Sequence, residues 1–178
     1  MVATPSAFQR ALAYRWLWGF AVLVFLGDQL SKRWITGRLP LRSYGSSGLT
    51  IFPGFFNLVH VGNTGAAWSM FSGRSTMLAL LALGTLTAIF FWRKHLGLHR
   101  SVPQFCFGLL CGGTVGNLLD RVRHGYVTDF LDFHFGEYIF PTFNVADSAI
   151  CIGVFSYILW SMKQPEEKNF KSQNPNSN

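Results

Sequence analysis

The sequence predicts a membrane protein that is mainly α-helical, with four transmembrane helices and a small β-sheet. Of its 178 residues 49% are hydrophobic and only 13% are charged, and the mean hydropathy is +0.26. Phenylalanine occurs 18 times, which is unusual for a soluble domain and common against lipid. A chain of this length is expected to form one domain. We place it at residues 1–164 and expect a polar, disordered tail at 165–178.

Four apolar runs define the predicted helices, at roughly 20 residues for each bilayer crossing. They extend from about 16 to 35, 76 to 92, 102 to 122 and 144 to 162. Between the first two, residues 49–61 are rich in β-branched and aromatic side chains and are bounded by glycines. This composition predicts short strands, which would form a small sheet on the membrane surface.

The net charge of +7 does not indicate a nucleic-acid partner. The basic residues lie mostly at the edges of the apolar runs, where they meet lipid headgroups, rather than on one continuous face. An even number of spans places both termini on one side. The side of the termini, which includes the 93–100 loop, holds eight Lys and Arg residues, and the other side holds seven. Lys32 and Arg121 belong to polar motifs rather than loops, and without them the second count is five. The difference favours cytoplasmic termini.

Six of the eight acidic residues lie inside or beside the apolar runs, which is costly and usually reflects function. Asp129 and Asp147 flank one loop, and neither has a basic residue within one helical turn. Two desolvated carboxyls that converge share one proton, so one can activate water while the other donates to a scissile carbonyl. We predict that they form an aspartyl dyad, although periodicity leaves Asp132 as an alternative to Asp129.

Two polar motifs lie near the first long loop. Asp28 and Lys32 are one helical turn apart in the favourable acid-first order, so they form either a structural ion pair or part of a site. Asn63 and Gly65 belong to a segment of small residues. It is either a tight turn re-entering the membrane or an open backbone against which an extended peptide could pair.

The third predicted helix carries Asn117, Asp120 and Arg121 on one face. They form either a buried hydrogen-bonded network or part of a site, and the network is a strong alternative for Asp120, which has Arg121 beside it and other basic residues nearby. Asn144 lies one turn before Asp147 and on the same face, where it can orient a carboxyl or a substrate.

No metal or organic cofactor is expected. His95 and His99 have a possible ligand spacing, but no third ligand accompanies them. Gly108, Gly112 and Gly116 recur every four residues, a pattern of close helix packing. The packing could lie within one bundle or between chains; we expect a monomer.

A small transporter or channel is the main alternative, because intramembrane acid and amide groups also form ion pathways. A conducting path needs polar residues through the full membrane depth, whereas those of this chain collect towards one face and the second span is almost bare. A purely structural anchor does not explain so many unneutralised aspartates.

Five motifs occur together: DQxSK at 28–32, NTGAA at 63–67, GGxxGNxxDR at 112–121, VxDF at 127–130 and FNxAD at 143–147. Their order and spacing resemble the lipoprotein signal peptidase (signal peptidase II) family, bacterial inner-membrane aspartyl proteases. The resemblance covers residues from about 16 to 162.

The resemblance implies four transmembrane helices with cytoplasmic termini, a periplasmic β-cradle at about 37–74, and a periplasmic loop or helix over an active site at that face. It implies removal of the signal peptide from a diacylglyceryl-modified prolipoprotein, just before the lipidated cysteine. The expected partners are this substrate, membrane lipid and globomycin-type inhibitors, which would block the dyad. By motif position, the catalytic residues are Asp129 and Asp147, and the supporting residues are Asp28, Lys32, Asn63, Gly65, Asn117, Asp120, Arg121 and Asn144.

Overall fold

The computed structural model describes residues 12–163 except 45, 46, 67 and 69, so the predicted tail at 165–178 lies outside the described residues. Its four long helices are α1 (Arg15–Thr36), α2 (Ser75–Trp92), α3 (Ser101–His124) and α4 (Val145–Met162). Its strands are β1 (Leu49–Phe52), β2 (Phe56–Asn63), β3 (Val127–Phe135) and β4 (Tyr138–Ile139). Each of the four apolar runs in the sequence is therefore a helix.

Three of the described helices, α2, α3 and α4, are long and apolar enough to cross a membrane. The mainly helical membrane fold is therefore confirmed. Helix α1 is as long, with 22 residues, but it carries Arg15, Asp28, Lys32 and Arg33. These charges lower its hydropathy, so composition alone does not mark it as a span.

Helix α3 is the centre of the bundle, and its glycines let two neighbours approach closely. A Cβ atom at Gly112 would lie 2.5 Å from the carbonyl oxygen of Ala21 in α1. On the other side, a Cβ at Gly113 would lie 2.5 Å from the carbonyl oxygen of Ala146 in α4. The predicted glycine stripe therefore packs against α1 of the same chain, whereas the sequence left open whether it packs within one bundle or between chains.

The sheet is antiparallel with the order β1-β2-β3-β4. Its first two strands lie where the sequence predicted strands, at 49–61. The other two come from the connection between α3 and α4, which the sequence did not indicate as strand. Pairing of β2 with β3 places Val61 opposite Asp129 and Asn63 opposite Val127. The sheet thus brings the NTGAA motif beside the VxDF motif.

The helix ends explain why the polar motifs meet. The last turn of α1, the first turn of α2, the last turn of α3 and the first turn of α4 all lie next to the sheet in chain order. Asp28 and Lys32 belong to the sheet end of α1, Asn117 and Asp120 to that of α3, and Asp147 to that of α4. The fold therefore concentrates the acidic side chains at one end of the bundle.

We predict that Gly112→Ala lowers the stability of the bundle by roughly 1–3 kcal/mol, because the new methyl group meets helix backbone and must push α1 away. Gly84→Ala in α2 is the matched control. Nothing lies within 4 Å of a Cβ at Gly84, and alanine favours helix, so the variant should be neutral or slightly stabilised. Thermal unfolding in detergent measures both. Equal melting temperatures would show that the α1–α3 contact is not tight.

Candidate active site

Asp129 is held in strand β3 by two amide side chains. Only 2% of the residue is exposed. Asn63, at the end of β2, donates from Nδ2 to Oδ2 of Asp129 at 2.9 Å. Asn144 donates from Nδ2 to Oδ1 at 2.7 Å. Both carboxyl oxygens therefore have a fixed donor, and the side chain is oriented before any substrate binds.

Asp147 is fixed by the start of helix α4. Asn144 and Asp147 form a capping box, in which the Asp147 amide donates to Oδ1 of Asn144 at 2.9 Å and the Asn144 amide donates to Oδ2 of Asp147 at 3.1 Å. Asn117 of α3 donates from Nδ2 to Oδ1 of Asp147 at 2.8 Å. Since Asn144 bonds both aspartates, it joins Asp147 directly to Asp129.

Burial is the main cause of a raised pKa at Asp129, and the negative charge of Asp147 is the next. The hydrogen bonds from Asn63 and Asn144 oppose the shift, yet the pKa of Asp129 still rises to about 7. A carboxyl with this pKa is partly protonated at neutral pH. The pair can therefore hold one proton between two carboxyls under physiological conditions.

A buried ion network lies behind the pair. The ammonium of Lys32 is 2.9 Å from Oδ2 of Asp28, 2.9 Å from Oδ2 of Asp120 and 2.9 Å from Oδ1 of Asn117. The Asp28–Lys32 ion pair expected from the sequence is therefore present. The ion-pair partner of Asp120 is Lys32 of α1 rather than Arg121, its neighbour in sequence.

The two carboxylates of this network also bind the backbone on either side of the site. Asp120 accepts from the amide of Thr128 at 3.1 Å, and Asp28 accepts from the amide of Ala146 at 3.0 Å. Thr128 directly precedes Asp129 and Ala146 directly precedes Asp147. A single lysine thus fixes, through two carboxylates, the chain positions of both members of the pair.

Sequence reasoning did not include Gln29 among the site residues. Its Nε2 lies 3.1 Å from Oδ2 of Asp28 and 3.2 Å from Oδ1 of Asp120, so it bridges the two carboxylates. The signal was present, since an amide beside Asp28 in an apolar run needs a polar partner.

Arg121 leads away from the ion network and towards the segment after β2. Its Nη2 donates to the carbonyl oxygen of Gly65 at 3.0 Å, and the Gly65 amide donates to Oδ1 of Asn63 at 2.8 Å. A Cβ at Gly65 would lie 2.6 Å from the Met70 carbonyl oxygen. Gly65 therefore serves for close packing. One hypothesis from the sequence was that the backbone here is open to pair with a peptide, but both the amide and the carbonyl oxygen of Gly65 are hydrogen-bonded within the protein.

A cavity of about 430 Å³ opens beside the pair. Its polar lining includes Asn63, Arg121, Asp129 and Asp147, and most of the remaining wall is apolar. The apolar lining residues include Trp68, Val127, Phe140, Phe143 and Ile150. This arrangement suits a largely apolar ligand with one polar group placed at the carboxyls.

Asp132, the alternative to Asp129, lies elsewhere on the sheet. Its Oδ2 is 2.7 Å from Nε2 of His134 and accepts from Nδ2 of Asn57 at 3.3 Å. These partners belong to β3 and β2 and do not include Asp147. Asp129 is therefore the carboxyl that the fold joins to Asp147. Within the described part of the chain, no three His, Cys, Asp or Glu side chains group together in a way that could hold a metal ion.

Comparison with known proteins identifies the family. The family model for signal peptidase (SPase) II matches residues 20–163. The chain is a member of the signal peptidase II family. It is 39% identical over 171 residues to a lipoprotein signal peptidase of Shewanella loihica, covering 93% of this chain and 95% of the relative. A lipoprotein signal peptidase of Shewanella baltica is also 39% identical, over 150 residues, covering 82% of this chain and 84% of the relative.

Two solved structures of bacterial membrane enzymes have a similar fold. A bacterial membrane enzyme determined by the in meso method at 2.3 Å resolution superposes with a TM-score of 0.72 at 31% identity, covering 89% of this chain and 90% of that one. A second bacterial membrane enzyme, at 1.9 Å, gives a TM-score of 0.70 at 33% identity, covering 82% and 92%. This member of the signal peptidase II family thus has the fold of known membrane enzymes.

We predict that Asp120→Asn destabilises the folded protein by roughly 3–5 kcal/mol, because it breaks a buried ion network. Gln29, Lys32 and the Thr128 amide all donate to the Asp120 carboxylate, so the new NH2 group would face a donor on either side. Glu137→Gln, at an exposed position of the same charge type, should change stability by less than about 0.5 kcal/mol. Thermal unfolding in detergent compares the two. A stable, inserted but inactive Asp120→Asn protein would instead place Asp120 in the chemistry.

The stability of the protein should fall as pH rises through about 7, because Asp129 binds a proton more tightly in the folded state than in the unfolded state. The stabilisation from this proton is complete at pH values below the pKa of Asp129 in the unfolded state, and it is lost at pH values above the pKa of Asp129 in the folded state. Asp129→Asn should show a smaller loss of melting temperature between pH 5 and pH 8. An identical pH dependence in both proteins would rule out a raised pKa at Asp129.

Proposed function

We propose that Asp129 and Asp147 are the catalytic dyad of this peptidase. Membership in the signal peptidase II family gives the reaction, which is removal of the signal peptide from prolipoproteins. The observation that carries the proposal is the hydrogen bonding of both carboxyls by Asn144, at the wall of an apolar cavity. Because burial and the negative charge of Asp147 raise the pKa of Asp129, the pair can hold one proton, which is the state that aspartyl catalysis requires.

In the proposed mechanism, the ionised carboxyl removes a proton from water as the water oxygen attacks the scissile carbonyl carbon. The protonated carboxyl donates its proton to the carbonyl oxygen, and a tetrahedral diol forms. Collapse of the diol breaks the C–N bond, and the amine leaves with a proton returned by the dyad. No metal or organic cofactor takes part in these steps.

The surrounding residues then have positioning roles. Asn63, Asn117 and Asn144 orient the carboxyls by direct hydrogen bonds. Asp28, Lys32 and Asp120 hold the backbone that carries them. Arg121 fixes Gly65 and, through it, Asn63. Each supporting residue in the family pattern thus has a contact that can serve the dyad.

The proposed substrate is a diacylglyceryl-modified prolipoprotein, cleaved just before its lipidated cysteine. The apolar wall formed by Trp68, Val127 and Phe140 supports this, because it can accept acyl chains or apolar side chains beside the carboxyls. The same features would accept a globomycin-type inhibitor. We propose that the enzyme acts as a monomer, with residues 1–164 as its domain.

We further propose that α1 is a fourth transmembrane helix and that the enzyme lies in the bacterial inner membrane. Close packing of α1 along α3 supports this, since α3 is itself long and apolar enough to span. The termini would be cytoplasmic, and the site and its β-cradle periplasmic. In support, the opposite end of the bundle carries Arg15, Arg93, Lys94 and Arg100, as a cytoplasmic end should.

The test is cleavage of a diacylglyceryl-modified prolipoprotein by purified protein in detergent. Asp129→Asn and Asp147→Asn should each reduce turnover by roughly 100- to 10,000-fold, because each removes a proton acceptor or donor of the dyad. Asp132→Asn, on the same sheet, is the matched control and should retain most of the activity. Normal turnover by either dyad variant would remove that residue from the mechanism.

A further inference from the structure

A second cavity, of about 510 Å³, separates α1 from α2 on the side of the bundle away from the site. None of its lining residues lines the active-site cavity. Its walls are almost entirely apolar: α1 contributes Leu17, Trp18, Ala21, Val22 and Phe25, α2 contributes Leu86, Ile89 and Phe90, α3 contributes Cys111, Gly112 and Val115, and Tyr14, Arg93 and Leu98 complete one end. The proposed reaction makes no use of this space.

The cavity has the length of one membrane leaflet. Its lining runs from Tyr14, just before α1, to Phe25 within it, and the eleven residue steps between them correspond to about 16 Å of helix. Half of a hydrocarbon core of about 30 Å is nearly the same distance. Trp18 and Val22 on α1 and Phe90 on α2 are exposed along its open side, so a chain from the surrounding lipid can enter sideways.

One end of the cavity is basic. Arg93 lines it and is held there by donation from Nη1 to the Phe90 carbonyl oxygen and by stacking of its guanidinium 4.8 Å from the Phe90 ring centroid. Arg15, Lys94 and Arg100 belong to the same end of the bundle, where α1 begins, α2 ends and α3 begins.

The acidic side chains of the described residues lie at the opposite end. They are the ion network, the dyad, Asp132 and Glu137, all on the last half of α1, the last turns of α3, the sheet or the first turn of α4. An anion at Arg93 therefore meets attraction without a nearby opposing charge. A basic segment of a substrate would be repelled from the same place.

We propose that this cavity binds an anionic phospholipid, with one acyl chain between α1 and α2 and the phosphate at Arg93. The apolar walls account for the chain, the leaflet-length groove for a lipid rather than a peptide helix, and the basic end for the preference for a negative headgroup. Bound there, the lipid fills the gap between two helices that otherwise contact each other little.

Native mass spectrometry of the full chain, delipidated in detergent, tests the site with dioleoyl phosphatidylglycerol and dioleoyl phosphatidylcholine as probes. Phosphatidylglycerol should bind at least about five-fold more tightly, and Arg93→Gln should weaken it about five-fold while leaving phosphatidylcholine unchanged. Leu86→Trp, which fills the groove, should weaken both lipids. Arg123→Gln, an exposed arginine at the other end of α3, is the matched control and should change neither.

Several outcomes would overturn the proposal. Equal binding of the two lipids would show that the groove accepts any acyl chain, whatever the charge of the headgroup. Undiminished phosphatidylglycerol binding by Leu86→Trp would show that the lipid contacts only the basic end and not the groove. Prolipoprotein cleavage in detergent should persist in all three variants, which confirms that they are folded. If Leu86→Trp does not fold, Val22→Trp blocks the same groove from the exposed face of α1.

Discussion

The buried ammonium of Lys32 is the interaction on which the site depends. Removing an ion pair from water costs several kcal/mol for each ion, and excellent geometry is needed to offset this cost. Here the ammonium has three oxygen partners at 2.9 Å, from α1 and α3. Its two carboxylate partners, Asp120 and Asp28, also accept from the backbone amides of Thr128 and Ala146. The ion network around Lys32 therefore fixes the positions of β3 and of the start of α4.

This arrangement requires helices that lie unusually close together. Gly116 has its Cα beside Asp28, and a Cβ there would be 2.5 Å from Oδ2 of Asp28. Glycine at this position therefore makes room for the carboxylate that Lys32 neutralises. Helix packing and electrostatics are consequently not separable in this protein: the residues that bring α1 against α3 also create the space in which the ions meet.

Much of the fold could be read from the sequence because the signals were local. Hydropathy located the four helices, and the spacing of Asp28 and Lys32 indicated their ion pair. The partner of Asp120 could not be read in the same way. Arg121 is its neighbour in sequence, but consecutive helical residues point about 100° apart, so Lys32 of another helix reaches Asp120 while Arg121 reaches Gly65.

Strand β3 was not predicted, although its second half carries a strand signal. Residues 131–135 alternate apolar and polar side chains and are rich in phenylalanine, whereas two polar residues followed by two apolar ones interrupt the alternation at 128–131. Pairing with β2 determines its conformation. Likewise, family motifs pointed to Asp129 and Asp147, but only the tertiary structure shows one residue, Asn144, bonded to both, through its side-chain amide to Asp129 and its backbone amide to Asp147.

The bridging position of Asn144 has a consequence for the synthesis of the protein. Asn144 and Asp147 belong to the start of the last long helix described, whereas Asn63 and Asp129 are made earlier. A nascent chain that has inserted α1, α2 and α3 and made β3 has one carboxyl of the pair and neither its partner nor the asparagine that bonds both. In the mechanism proposed above, both carboxyls are required, so the peptidase would become active only once α4 docks against α3.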